Sequence, residues 1–439
     1  MRRSPLFLPC ASGVETLLAE EVQRLLPAAL VRSQRGGVAL EGEAGEVMQL
    51  NLASRLAQRV LIQLTQGPYR EEADLYRLAL AVDWAGWITP RHTLRVDTTA
   101  HRCPLKSLNF AALRIKDAVC DQLREASGER PSVDTARPDL PLLLHLDEQR
   151  ATLYVDSSGE PLFKRGWRED QGDAPLKETL AAAMLAAAGW RGTAEQGGAL
   201  HDPCCGSGTI AIEAAQIACG MAPGLKRRFA FQQLLPFSTP AMRADWQRRV
   251  SLAQAAFHTS AVPIYASDVT FRMVDFARRN ARRAGVEAAI TFNGGDALER
   301  PAPELPPGMR GTLMLNPPYG ARIEVRGKVA RARPLSSPPA GNIDDGSDNR
   351  SAPQDFFTRL AAHWKRAYTT HAAGWTAYVL SPDMKLPATM RLKESRRVPL
   401  WNGPIECRLF RFELVAGSAR AGRAQTGVPP AQPVRAKPS

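Results

Sequence analysis

The sequence predicts an α/β protein in which a parallel, doubly wound sheet follows a mixed α+β region. Three observations predict it. The chain has 439 residues, more than one ordinary domain holds. From Leu200 onward, short apolar runs alternate with longer amphipathic ones, as in strands joined by crossover helices. In the first third, strand-like and helix-like segments follow each other without that alternation.

Residues 1–45 read as a small α/β unit. Phe7 and Leu8 open a strand, and Val14, Leu17, Leu18, Val22 and Leu25 recur at helical spacing. Gly36-Gly37-Val38-Ala39-Leu40 reads as a turn into a strand. Residues 46–158 follow as a second unit, with helices expected at 46–66, 74–88 and 109–125. Its strands are expected at 93–97, 142–146 and 151–156. The third unit, 165–415, begins with an Ala-rich helix at 177–188. Its strands are expected at 198–202, 263–267, 289–293, 312–315 and 375–380, and its helices at 208–219, 239–257, 270–284 and 353–370. Two segments read as disordered: a basic, then Pro/Ser-rich, then acidic insertion at 325–353, and an Ala/Gly/Pro/Arg-rich basic tail at 416–439.

Composition narrows the function classes. With 44% hydrophobic and 23% charged residues the chain can bury a core, which excludes wholesale disorder. No apolar run approaches the length of a membrane span, and the opening Met1–Ala11 is broken by Pro9, so neither membrane insertion nor a signal peptide is expected. The net charge of +13 favours a polyanionic partner, above all nucleic acid. The seven cysteines include no Cys-x-x-Cys, which fits reduced thiols, a cytoplasmic location and no metal site.

Three motifs carry chemistry. Leu200–Ala211 is a strand end, Asp202-Pro203-Cys204-Cys205-Gly206-Ser207-Gly208, and a helix start at Thr209. Glycine there lets the backbone turn sharply and a ligand approach. Ile264–Asp268 is a second strand ending in an acid, and Asp268 reads either as an acceptor for ribose hydroxyls or as a helix N-cap. Asp296, after a third strand, could accept from an adenine amino group. The third motif, Asn316-Pro317-Pro318-Tyr319 after the apolar strand Leu313–Leu315, suits an exocyclic amine. The Asn316 side-chain oxygen and the Pro317 carbonyl can accept its two N–H bonds, the second proline stiffens the turn, and Tyr319 offers a stacking face.

These motifs together resemble the class I S-adenosylmethionine-dependent amino-methyltransferases. A closer resemblance runs from about residue 5 to 415. Lys164-Arg165-Gly166-Trp167-Arg168, Ala174–Ala183, Asp202–Thr209, Ile212-Glu213-Ala214-Ala215, Ala222-Pro223-Gly224, Asn316–Gly320 and Asn402–Cys407 are similar to the bacterial THUMP-containing rRNA guanine-N2 methyltransferases. The resemblance implies a ferredoxin-like piece at 1–45, a THUMP RNA-binding domain at 46–158 and a Rossmann-like methyltransferase domain at 165–415. It implies S-adenosylmethionine as cofactor, held by Thr179, Asp202, Pro203, Cys204, Gly206, Gly208, Asp268, Asp296 and Asn316. Catalysis would fall to Asn316, Pro317, Pro318 and Tyr319. The expected substrate is a guanine of 23S rRNA, naked or in a ribosome-assembly intermediate, methylated by a monomer.

The family's best-known member carries a second methyltransferase, for a guanine N7, behind the first. Ending in a basic tail, this chain is expected to lack it. Lys106, Arg114 and Lys116, on or near the 109–125 helix, and Arg165 and Arg168 are candidate phosphate contacts. His201 is expected to be structural, because amine methylation needs no imidazole. Cys204 lies in the glycine turn rather than after the fourth strand, which discounts it as a nucleophile. The rival readings are a tRNA guanine-N2, DNA adenine-N6 or protein glutamine-N5 methyltransferase, and a non-catalytic RNA-binding assembly factor.

Overall fold

The computed structural model describes residues 3–172, 175–317 and 351–415, without the side chains of 351–354. Pro318, Tyr319, the tail at 416–439 and the expected insertion up to residue 350 lie outside the described residues.

The chain opens with β1 (Ser4–Pro9), α1 (Glu15–Leu25), β2 (Arg32–Gln34), β3 (Gly37–Gly42), α2 (Ala44–Ala53), β4 (Leu61–Pro68) and α3 (Glu72–Leu80). It continues with β5 (Thr93–Ala100), α4 (Leu108–Ser127), β6 (Ser132–Val133), β7 (Leu140–Leu146) and β8 (Arg150–Asp156). All eight strands form one sheet in the order β2-β3-β1-β4-β8-β7-β5-β6.

The helix expected at 46–66 is in fact α2 followed by β4. The break falls where the buried carboxylate of Glu21 accepts from the Ser54 hydroxyl at 2.7 Å and from the backbone N–H of Arg55 at 3.0 Å. The Arg55 N–H is thereby drawn out of the helical ladder, while the Ser54 N–H still makes the last helical bond, to the Leu50 carbonyl at 3.0 Å. β4 then pairs with β1, Leu6 opposite Ile62, and with β8, Leu61 opposite Asp156. One sheet therefore runs through both expected N-terminal units, and the expected boundary at 45/46 falls inside α2.

The second half contains α5 (Glu178–Ala187), β9 (Ala199–Asp202), α6 (Thr209–Ala218), α7 (Pro240–Ala255), β10 (Ile264–Asp268), α8 (Phe271–Ala284), β11 (Ile290–Gly294) and β12 (Gly311–Leu315). After these come α9 (Ser351–Ala367), β13 (Trp375–Ser381), α10 (Leu386–Met390), β14 (Glu394–Asn402) and β15 (Ile405–Leu414). The last three residues of the expected insertion thus belong to α9. The sheet order is β11-β10-β9-β12-β13-β15-β14, with the first five strands parallel and β15 antiparallel to both β13 and β14.

The sheet separates two cores. On β12, Met314 faces one and Leu313 and Leu315 face the other; on β13, Tyr378 and Leu380 oppose Ala377 and Val379. Strands buried on both faces need apolar residues at successive positions, as Leu313-Met314-Leu315 supplies. One core contains α5, α6 and α8 and is continuous with the core of the first sheet; the other contains α9 and α10.

Candidate active site

The order of the second sheet reverses at β9. β10 lies on one side of it, Leu200 opposite Ile264, and β12 on the other, Leu313 opposite His201. In open α/β sheets the crevice outside the carboxyl ends of such strands is where ligands bind. Asp202 ends β9, Asp268 ends β10, and Asn316 and Pro317 follow β12.

The glycine turn is held from several sides. Cys205 donates its backbone N–H to the Ser267 carbonyl at 2.9 Å, and Gly206 donates to Asp268 Oδ2 at 3.0 Å. Gly208 has φ +89°, and a Cβ there would stand 2.8 Å from the Ala277 Cβ, so this glycine lets α6 approach α8. Gly206 has φ +51°, yet a Cβ there would meet no atom within 4 Å. The turn is therefore open at Gly206.

The three acids gather at this turn. Asp202 is 1% exposed and accepts from the Cys204 backbone N–H at 3.2 Å. Burial, and then the neighbouring Asp268, push its carboxyl well above the ordinary carboxylate range. Asp268 accepts from Gly206 through one oxygen and from the Thr270 N–H at 2.9 Å through the other; burial raises its pKa too. It thus serves the backbone at the head of α8, as an N-terminal cap would, while keeping lone pairs for a ligand. Asp296, just beyond β11, is half-buried and accepts from the Leu298 N–H at 2.9 Å. The Cys204 thiol is pushed far up by burial and by Asp202, Asp268 and Asp296 in turn. A protonated thiol ringed by carboxylates is no nucleophile.

Pro203 is buried beside Cys204, and Thr179 is buried in the first turn of α5. Asn316 is half-buried and Pro317 buried. His201 lies between the Tyr368 hydroxyl at 3.0 Å and the Ser267 hydroxyl at 3.3 Å, and burial lowers its pKa to about 3. It is neutral and structural.

Two of the five candidate phosphate contacts are corrected. The side chain of Arg165 is 1% exposed; it pairs with Glu213 at 3.1 Å and donates to the carbonyls of Leu162 and Arg55. Arg168 is engaged by Glu178, Ser207 and Thr209. Neither can reach an external phosphate. Lys106 is exposed just before α4, while Arg114 and Lys116 are half-buried on α4 and share the carboxylate of Asp117 at 3.7 and 2.9 Å. The Arg114 guanidinium lies 4.9 Å from the ring centre of Phe110, which is itself 43% exposed.

Sequence reasoning missed Val269 and Phe271, which flank the Asp268 corner and are 54% and 79% exposed. Large apolar side chains left open directly after a strand-end acid were the available signal. It also missed Arg55, whose guanidinium reaches Glu213 at 3.3 Å and the Met221 carbonyl. A separate groove of about 560 Å³ between α2 and α7 contains none of the candidate catalytic, cofactor or phosphate-binding residues, although Ala222 and Pro223 of the Ala222-Pro223-Gly224 motif line it. Among the described residues, no cluster of His, Cys, Asp or Glu could hold a metal ion, and no helix is long and apolar enough to cross a membrane.

Five parallel strands reversing at β9, an antiparallel pair at the far edge and a glycine turn among strand-end acids define a class I methyltransferase fold. Within that class, three family models match successive stretches of the chain. Residues 165–333 match the RMKL-like methyltransferase domain, 69–156 the THUMP domain and 5–61 the RlmL ferredoxin-like domain. Among curated proteins, the ribosomal RNA large subunit methyltransferase K/L of Syntrophotalea carbinolica is 35% identical over 414 residues, 93% of this chain and 53% of that protein. Its namesake in Pseudomonas aeruginosa PAO1 is 35% identical over 412 residues, 93% of this chain and 52% of that protein. The chain spans about half the length of the curated relatives it matches.

Among solved structures, SMU.472, a protein described as a methyltransferase and complexed with SAH, has a TM-score of 0.77 at 24% identity, covering 94% of this chain and 98% of that one. A Listeria monocytogenes protein described as an N6-adenine-specific DNA methylase has a TM-score of 0.76 at 25% identity, covering 94% and 96%.

Proposed function

We propose that this chain is an S-adenosylmethionine-dependent RNA methyltransferase acting on the exocyclic N2 of a guanine in 23S ribosomal RNA, free or in an assembling particle in the cytoplasm. The carrying observation is the convergence of the open glycine turn, the three acids and Asn316-Pro317 at the carboxyl ends of β9, β10 and β12. The name of the curated relatives supports ribosomal RNA as substrate, and the THUMP domain supports RNA docking.

The residues present fit the cofactor. The open side of Gly206 leaves room for it, and Asp202, with Thr179 in the first turn of α5, offers acceptors for its ammonium end. Asp268 keeps lone pairs for ribose hydroxyls, Asp296 can accept from the adenine amino group, and Val269 and Phe271 offer apolar surface for the ring. When bound, the cofactor supplies an electrophilic methyl on a sulfonium. Asn316 and the Pro317 carbonyl would accept the two N–H bonds of the guanine amine and aim its lone pair, and Tyr319 would stack on a base turned out of its helix. The chain contributes position and a complementary field rather than a strong base. Lys106, Arg114 and Lys116, with the exposed Phe110, would meet backbone and bases at the docking face.

The test is nucleoside mass spectrometry of 23S rRNA and tRNA from a deletion strain. N2-methylguanosine should fall in 23S rRNA, return with the wild-type gene and stay low with Asn316→Ala. That variant should still bind S-adenosylmethionine in calorimetry. Loss confined to tRNA, or full rescue by Asn316→Ala, would overturn the assignment.

A further inference from the structure

Arg168 sits where three stretches of chain meet. Its side chain is 14% exposed. Nε donates to Glu178 Oε1 at 2.7 Å, one terminal nitrogen donates to Ser207 Oγ at 2.9 Å, and the other to Thr209 Oγ1 at 2.8 Å and the Leu176 carbonyl at 3.2 Å. The guanidinium also lies 5.0 Å from the ring centre of the buried Trp167. Ser207 stands between Gly206 and Gly208, and Thr209 opens α6. Glu178 opens α5, next to Thr179. Every guanidinium nitrogen is used, and none of its acceptors lies on the RNA-docking face.

We propose that Arg168 is a positioning residue for the cofactor site, holding the glycine turn in its open shape and in register with the start of α5. The proposal rests on the methyltransferase reading above. Its physical content is pre-organisation. Two glycines give the turn alternative backbone states, and binding would have to select one of them. Asp268 fixes the turn at Gly206, and Asn280 Nδ2 holds the Ser207 carbonyl at 3.1 Å. Arg168 adds the tie to α5, so that both walls of the site are set together. A planar fork can reach acceptors on both walls at once; an ammonium on a flexible stem cannot.

The test is calorimetric titration of S-adenosylmethionine into the full chain, with steady-state kinetics on the RNA substrate. In Arg168→Lys, the cofactor Kd and cofactor KM should rise together by about tenfold or more, while kcat at saturation stays within about threefold and RNA affinity is unchanged. Thr209→Val keeps the side-chain shape and removes one acceptor; it should raise Kd less, and its effect should shrink in the Arg168→Lys background. An unchanged Kd in both variants overturns the proposal. So does a parallel fall of cofactor affinity, kcat and Tm, which would mark a general structural role. Wild-type chain that fails to bind S-adenosylmethionine overturns the methyltransferase reading as well, whereas wild-type binding with unaffected variants overturns this proposal alone.

Discussion

At the scale of single residues, the site carries strain in its charges. Asp202 is buried beside Asp268, and its carboxyl titrates well above the ordinary range because burial disfavours the charged form. The folded chain therefore holds a proton that the unfolded chain releases. Stability contributed by that proton is present at low pH and is lost as pH rises through the raised value. Asp202→Asn removes the titration. The ligand-free variant should melt above wild type at neutral pH, with a gap that grows by up to about 1.4 kcal/mol per pH unit crossed and closes in acid. Cofactor affinity should fall in the same variant. Melting curves over a pH series check this, and parallel curves for the two proteins would exclude a raised Asp202 pKa.

At the scale of elements, two helices carry separable burdens. The start of α6 depends on Gly208, where a Cβ would stand 2.8 Å from the Ala277 Cβ and 3.1 Å from its Cα on α8. Because the obstruction includes backbone, relief requires the helices to part. Gly208→Ala should cost about 1–3 kcal/mol, read as a lower denaturant midpoint, and should weaken cofactor binding. The N-terminal half of α4 and the residues just before it present cations instead. Replacing Lys106, Arg114 and Lys116 together by Gln should weaken RNA binding across sequences alike and flatten the salt dependence by up to about one slope unit per lost phosphate contact. Filter binding over a salt series measures both. An unchanged slope would place the docking face elsewhere.

At the scale of the whole molecule, the two sheets are joined by a buried ion group. Arg165 pairs with Glu213 on α6 at 3.1 Å and donates to the Arg55 carbonyl at 2.7 Å, and Arg55 itself reaches Glu213 at 3.3 Å. Gly224 donates to the Leu52 carbonyl at 2.9 Å, and a Cβ there would lie 2.8 Å from the Leu52 Cα, so Ala222-Pro223-Gly224 serves the same joint. Arg227 collects the carbonyls of Ser158, Glu160, Pro161 and Lys164 and pins the connecting segment. Glu213→Ala would leave the buried Arg165 and the half-buried Arg55 short of their carboxylate and should destabilise the chain by about 3–5 kcal/mol. One cooperative transition is expected in wild type, because the core of the first sheet continues into the α6 face of the second. Two separate transitions in wild type would show that the joint does not couple the halves. For the same reason, a fragment beginning near residue 165 exposes core that the first sheet covers, so removing residues 1–158 tests stability as much as RNA docking.

How far the sequence reached depends on whether a signal was local. Leu313-Met314-Leu315 announces a strand buried on both faces, and the alternation from Leu200 to Ser381 places five parallel strands within about a residue of their observed ends. Gly206, Gly208, Asp202 and Asp268 were legible because a turn and strand-end acids are written in adjacent residues. β14 was not, since Arg396, Arg397 and Pro399 interrupt its apolar pattern on a strand at the edge of the sheet. The break between α2 and β4 was hidden because it depends on Glu21, more than thirty residues earlier. The arginines show the division best. Arg165 and Arg168 look like surface cations in the sequence, and only the tertiary structure places Glu213, Glu178, Ser207 and Thr209 around them. A side chain's charge is a property of its residue, but its partners are a property of the fold. The sequence by itself determined the five parallel strands, the glycine turn and the acids at the strand ends; the antiparallel edge, and which cations face solvent and which brace the site, were decided by packing.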